Sequence, residues 1–294
     1  MTAYRAFSPA RIWTLATATV TQLLRMKILF FLLAFSVLVV AAGFAFPVLN
    51  PEQQLKLLKD VSFGALQVFS LVIAIVATAL LLPRDLEDRT LYTILSKPVP
   101  RHEYLLGKLL GVLLLIGAGL LLMDLAFSAV LWLREKLLLA QIIQALEAKT
   151  PEAVAQLEAI VSKHGLTWSL HLGVLAVFWK AAVVAALALM ISCFASSTLF
   201  TVVVTFCIVI IGHGQGLIRE YFLQGGTLAE PVKKLLSALL AIVTPDLGVF
   251  DVVDNVINGE SVGTSAVLAM SGAALLYLTG YAVVSHLLFV EKEL

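Results

Sequence analysis

Cysteine is nearly missing from this chain: Cys193 and Cys207 are the two it has, and both stand in apolar stretches. That excludes a disulfide framework or a thiolate metal centre, since either needs several sulfurs at bridge or ligand spacing. Charge is scarce as well. Asp, Glu, Lys and Arg make up 13% of the residues and sum to +1, so no basic field is available to hold nucleic acid. Catalytic signatures are also lacking, with no GxxxxGK[ST], HExxH or GxSxG run and no paired-carboxylate motif. His102, His164, His171, His213 and His286 are scattered without ligand spacing, so no metal site is read from them. The chain carries no recognisable hydrolytic or redox machinery of its own.

What it has in abundance is apolar side chain: 61% of residues are hydrophobic and the mean hydropathy is +1.01, far outside the range of a soluble domain. Six segments, 28–46, 62–82, 105–133, 169–195, 198–212 and 264–290, read as helical spans of a hydrocarbon core about 30 Å thick. The fold expected is an all-α integral membrane protein with one transmembrane domain. The first segment reads as a retained span, because its apolar run is long for a signal peptide and Phe44-Ala45-Phe46-Pro47 is a poor cleavage site. Ahead of it, Arg5, Arg11, Arg25 and Lys27 stand without any acid, which suggests an interfacial helix with Trp13 at headgroup level.

The connections follow from turn and cap residues. Residues 47–61 read as a short loop, and 134–165 as an amphipathic helical hairpin with Thr150 and Pro151 opening its second helix and Gly165 closing it. Ser196-Ser197 forces an antiparallel pair of spans. The run Gly212-His213-Gly214-Gln215-Gly216 is expected to end the fifth span, leaving 213–263 as a long connection. An even number of spans places both termini on one side, and the basic residues before the first span make that side the cytoplasm. The hairpin and the long connection then lie outside.

One stretch stands apart. Residues 83–108, PRDLEDRTLYTILSKPVPRHEYLLGK, form a charge-dense run between the second and third spans. Leu86, Thr90, Leu91, Ile94 and Leu95 recur at helical spacing, with Arg84, Asp85, Glu87, Asp88 and Arg89 mostly on the other face. The helix should stop before Pro98 and a second should restart at Pro100. Gly107 and Gly111 make a small-xxx-small pair suited to close helix approach. Within the spans, Asp124 and Lys180 stand at matching depths, and the cost of an unpaired intramembrane charge suggests that they pair or face a hydrated cavity.

Four stretches together resemble the permease subunit of type 2 ABC transporters: ARIWTLATATVTQLLRMKILF, LEDRTLYTILSKPVPRHEYLLGKLLG, PDLGVFDVVDNVINGE and the terminal LLFVEKEL. The second is the most specific, and it departs from many relatives in having Arg89 where they carry glycine. The resemblance implies an exporter subunit in a bacterial cytoplasmic (inner) membrane, with both termini cytoplasmic. In that family the segment 83–104 is a coupling helix. Glu87, Asp88, Arg89, Thr90 and Leu91 would then contact a separate ATPase subunit, while Ser96, Lys97, Pro98 and Arg101 shape the turn back to the third span. ATP and Mg would belong to that partner, and a second permease copy or homologue would complete a dimer. The competing reading is a self-contained secondary transporter using Asp124 and Lys180 for ion coupling, but the inverted repeat it predicts is not visible. Neither reading selects a substrate.

Overall fold

The computed structural model describes residues 7–25, 29–44, 50–87, 99–146, 158–159, 161–195, 197–224, 232 and 244–291. Among these the chain is helical throughout, with no strand: α1 Pro9–Leu24, α2 Leu29–Phe44, α3 Pro51–Glu87, α4 Arg101–Leu146, α5 Trp168–Phe194 and α6 Thr198–Gln224. A 3-10 turn at Leu247–Phe250, α7 Val253–Ile257 and α8 Thr264–Glu291 complete it. Among the described residues, five helical stretches are long and apolar enough to cross a membrane: Pro51–Pro83, Arg101–Gln141, Val161–Phe194, Thr198–Gly216 and Thr264–Val290. The first expected span, 28–46, is not among them. Its described part, α2, has 16 residues, roughly 24 Å of helix against a core of about 30 Å.

The hub is α5. It packs against α3, α4, α6 and α8, and 78% of its most apolar stretch is buried, against 28% for α6 and for α8. A helix buried on most sides must be apolar nearly all round, and apart from His171 and Lys180 this one is. Ala176, Ala181, Ala182, Ala185, Ala186 and Ala188 are buried in it, and such small side chains let neighbouring backbones close in.

Several boundaries differ from the sequence reading. Residues 51–61 are not a loop but the start of α3. Pro51 opens the helix, the Gln54 N–H reaches the Asn50 carbonyl at 3.0 Å, Glu52 and Lys56 pair one turn apart at 2.7 Å, and Leu55 and Leu58 are buried. The same helix runs through Pro83, which deprives the Ala79 carbonyl of a donor but leaves the chain helical to Glu87. Arg134–Leu146 continues α4 without a break, since no glycine or proline follows Gly119 before Leu146. Residues 147–157, with Thr150 and Pro151, lie outside the described residues.

The glycine run closes the apolar span, at Gly216, but it does not end the helix. α6 continues through Gly212, Gly214 and Gly216 to Gln224. A Cβ at Gly212 would stand 2.7 Å from the Pro245 carbonyl oxygen and 3.2 Å from Leu247, so this glycine lets the segment before α7 lie against the helix. His213 returns its Nδ1 to the Val209 carbonyl at 2.8 Å, one turn back on the same helix.

Candidate functional site

The charged segment itself, with Asp88, Arg89, Thr90, Leu91, Ser96, Lys97 and Pro98, lies outside the described residues, and Glu87 is described in its backbone only. What the structure describes are the two ends from which it hangs. α3 finishes at Glu87, and α4 starts at Arg101 with the Glu103 N–H on the Pro100 carbonyl at 3.0 Å, so Pro100 does open the next helix.

Those ends are tied together by buried charge. Asp85, 4% exposed, accepts from the Tyr104 hydroxyl at 2.5 Å and pairs with Lys108 Nζ at 2.7 Å through the same Oδ2. Lys108, 5% exposed, also donates to Gln22 Oε1 of α1 at 3.2 Å and lies 5.7 Å over the Tyr104 ring. On the next face of α4, fully buried Glu103 takes Arg11 Nε at 2.5 Å and Nη2 at 2.7 Å in a forked contact, and the Ser8 N–H at 2.6 Å. Such forks hold orientation as well as charge. Arg101 completes the set by donating to the Phe289 and Val290 carbonyls at 2.9 and 2.8 Å, where the last turn of α8 has carbonyls to spare.

The close approach expected of Gly107 and Gly111 occurs, and its partner is α1. A Cβ on Gly107 would lie 2.5 Å from Leu15 Cβ, and one on Gly111 2.6 Å from Thr19 Cβ and 2.8 Å from the Ala16 carbonyl oxygen. Helix α1 is thereby seated on the first turns of α4, with Ala16, Thr19 and Leu23 buried.

A second site lies further along α4. Asp124 is 92% buried on the complement of its 8% exposure, and its Oδ2 meets His171 Nδ1 at 2.7 Å. Lys180, its expected partner, is not within ion-pair distance and lies buried in α5. The helix α4 continues past Leu133 to Leu146, so Asp124 stands farther from its end than Lys180 does from the start of α5 at Trp168. Asp124 and His171 border a cavity of about 510 Å³ between α4 and α5, whose other walls include Gly117, Leu121, Trp168, Val174 and Phe178. Sequence reasoning left His171 aside because it lacks ligand spacing. Its signal was simpler, an imidazole three residues into an apolar helix that faces another helix carrying a lone acid.

No family model and no curated protein matches this chain.

Proposed function

We propose that this chain is the permease subunit of a type 2 ABC exporter, moved by a separate ATPase that binds the segment between α3 and α4. One observation carries the reading. The two ends of that segment are locked to each other by Asp85, Tyr104 and Lys108, to α1 by Glu103 and Lys108, and to α8 by Arg101. A load applied to Glu87, Asp88, Arg89, Thr90 and Leu91 reaches four helices at once, because buried, geometrically fixed contacts pass displacement on instead of absorbing it. An isolated surface loop has no use for such an anchorage.

The proposal extends to the finer points of topology. Six spans, with 28–46 as the first, put both termini and the 83–104 segment in the cytoplasm of a bacterium, beside the ATP and Mg of the partner. A second permease, identical or homologous, completes the pathway.

Affinity purification of the intact chain from native membranes in mild detergent tests this. Recovery of an ATPase subunit with the wild type and its loss with Glu87→Ala/Arg89→Glu is the expected result. Recovery of other membrane complexes under the same conditions, with no ATPase beside this chain, overturns it.

A further inference from the structure

The cavity between α4 and α5 contains an imidazole whose hydrogen bonding is unfinished. An ionised carboxylate can only accept, so the 2.7 Å contact between Asp124 Oδ2 and His171 Nδ1 places a proton on Nδ1. In the neutral imidazole that leaves Nε2 as an acceptor with its lone pair free. Asp124 Oδ1 is buried and out of reach. His171 differs: its side chain is 35% exposed, and Nε2 keeps accessible surface and makes no hydrogen bond with the described residues. Asp124 thus sets the tautomer, and His171 presents the acceptor.

The walls restrict what that acceptor can hold. Among the described residues that line the cavity, the other polar side chain is Trp168, whose ring meets the imidazole edge-on at 5.5 Å and which offers a donor but no acceptor. The rest is apolar, and Leu121, 65% exposed, stands at the open side. From His171 to Phe178 the slot runs roughly 10 Å along α5 at ~1.5 Å per residue. The Phe178 ring closes its far end against Gly117, where an added Cβ would stand 3.4 Å away. That length suits one ring with a short chain.

Counting donors selects the head group. An ammonium brings three N–H groups to a single acceptor and leaves the others in apolar surroundings, where an unmade hydrogen bond is costly. A carboxylate brings no donor and would stand beside the charge of Asp124. A hydroxyl matches one donor to one acceptor and brings no charge among the apolar helices.

We propose that this slot binds a neutral apolar molecule with a single hydroxyl group, its O–H donated to His171 Nε2 and its body against Gly117, Leu121 and Phe178. The proposal does not depend on the ATPase reading, so the two fail separately. The test uses the purified full chain in phosphatidylcholine nanodiscs at about pH 8, where an ordinary imidazole is neutral, with radiolabelled para-butylphenol as probe. Binding above that of empty nanodiscs should saturate and be displaced by the unlabelled phenol. The methyl ether, para-butylanisole, has the same body and no donor, and should compete at least about fivefold less well, the usual worth of one hydrogen bond. Para-butylbenzylamine and para-butylbenzoate should also be weaker than the phenol. His171→Phe should bring the phenol down to the level of the ether, and Leu121→Trp, which narrows the slot and leaves the imidazole in place, should weaken both.

The absence of a saturable component with the wild type overturns the proposal. So does an ether, amine or carboxylate that competes as well as the phenol, or a His171→Phe variant that binds the phenol as the wild type does. The competition arm needs only wild-type protein, so a variant that fails to fold leaves the decision intact.

Discussion

Helix α4 carries acids in two settings, and they are used in opposite ways. Near its start, Glu103 and the neighbouring Asp85 of α3 each hold two or more donors, drawn from α1 and from α4 itself. Farther along, Asp124 holds one, from His171, and its second oxygen is buried without a partner among the described residues. A carboxylate with its acceptors filled has nothing left to bind and works as a fastening. A carboxylate with one buried acceptor unfilled carries a desolvation cost that no bond offsets. The contrast separates the part of the molecule that holds shape from a place where a buried charge is left half satisfied.

Removing a fastening should have the largest effect. Asp85→Ala or Lys108→Ala alone leaves a buried charge uncompensated and should cost about 3–5 kcal/mol, read as a lower midpoint of thermal unfolding in detergent. The double variant should lose less than the sum of the two singles. Strict additivity would mean that the contact does not couple them.

Next comes the seat of α1. Gly111→Val would force a side chain into the Ala16 carbonyl and Thr19, at a cost of about 1–3 kcal/mol. Gly119→Ala on the same helix meets nothing within 4 Å and should leave stability unchanged or raise it by up to about 1 kcal/mol. Equal behaviour of the two would show that the approach of α1 is not tight.

Arg101→Ala should cost about 1 kcal/mol and speed amide exchange in the last turn of α8 while sparing its middle. The smallest effect sharpens the comparison most. Asp124→Asn keeps the shape of a side chain whose charge is half satisfied, and should move the unfolding midpoint by less than about 1 kcal/mol of stability. A loss as large as that of Asp85→Ala would make Asp124 another fastening.

The sequence reading succeeded where one signal dominated. Segments 169–195 and 264–290 correspond to α5, Trp168–Phe194, and α8, Thr264–Glu291, because a long apolar run bounded by Thr167 or Gly263 has few other ways to fold. It went astray where a local signal competed with packing. Gly212 looked like a stop, but the close approach of Pro245 explains it, and no pattern within α6 contains that contact. The polar start of α3 looked like a loop because its buried face holds few residues, Leu55 and Leu58 among them.

The sites show the same division. Asp124 was visible as a lone acid in an apolar run, whereas its partner depended on where α4 ends and which way each helix face turns. Arg11 and Glu103, far apart in sequence, meet only because Gly107 and Gly111 bring α1 onto α4. That contact needed the fold.

The uninterrupted length of α4 has a mechanical meaning. Its 46 residues make a rod of roughly 69 Å, and a bilayer with its headgroup layers is about 40–45 Å thick. Were it to cross a bilayer at a tilt of about 40°, the upper end of what spanning helices adopt, the rod would cover roughly 53 Å along the membrane normal and stand clear of the lipid on at least one side. Asp124 lies close to the midpoint between Arg101 and Leu146. A rock of ~5° about that point would swing each tip by roughly 3 Å, the rod's half-length being about 35 Å, and leave the centre still.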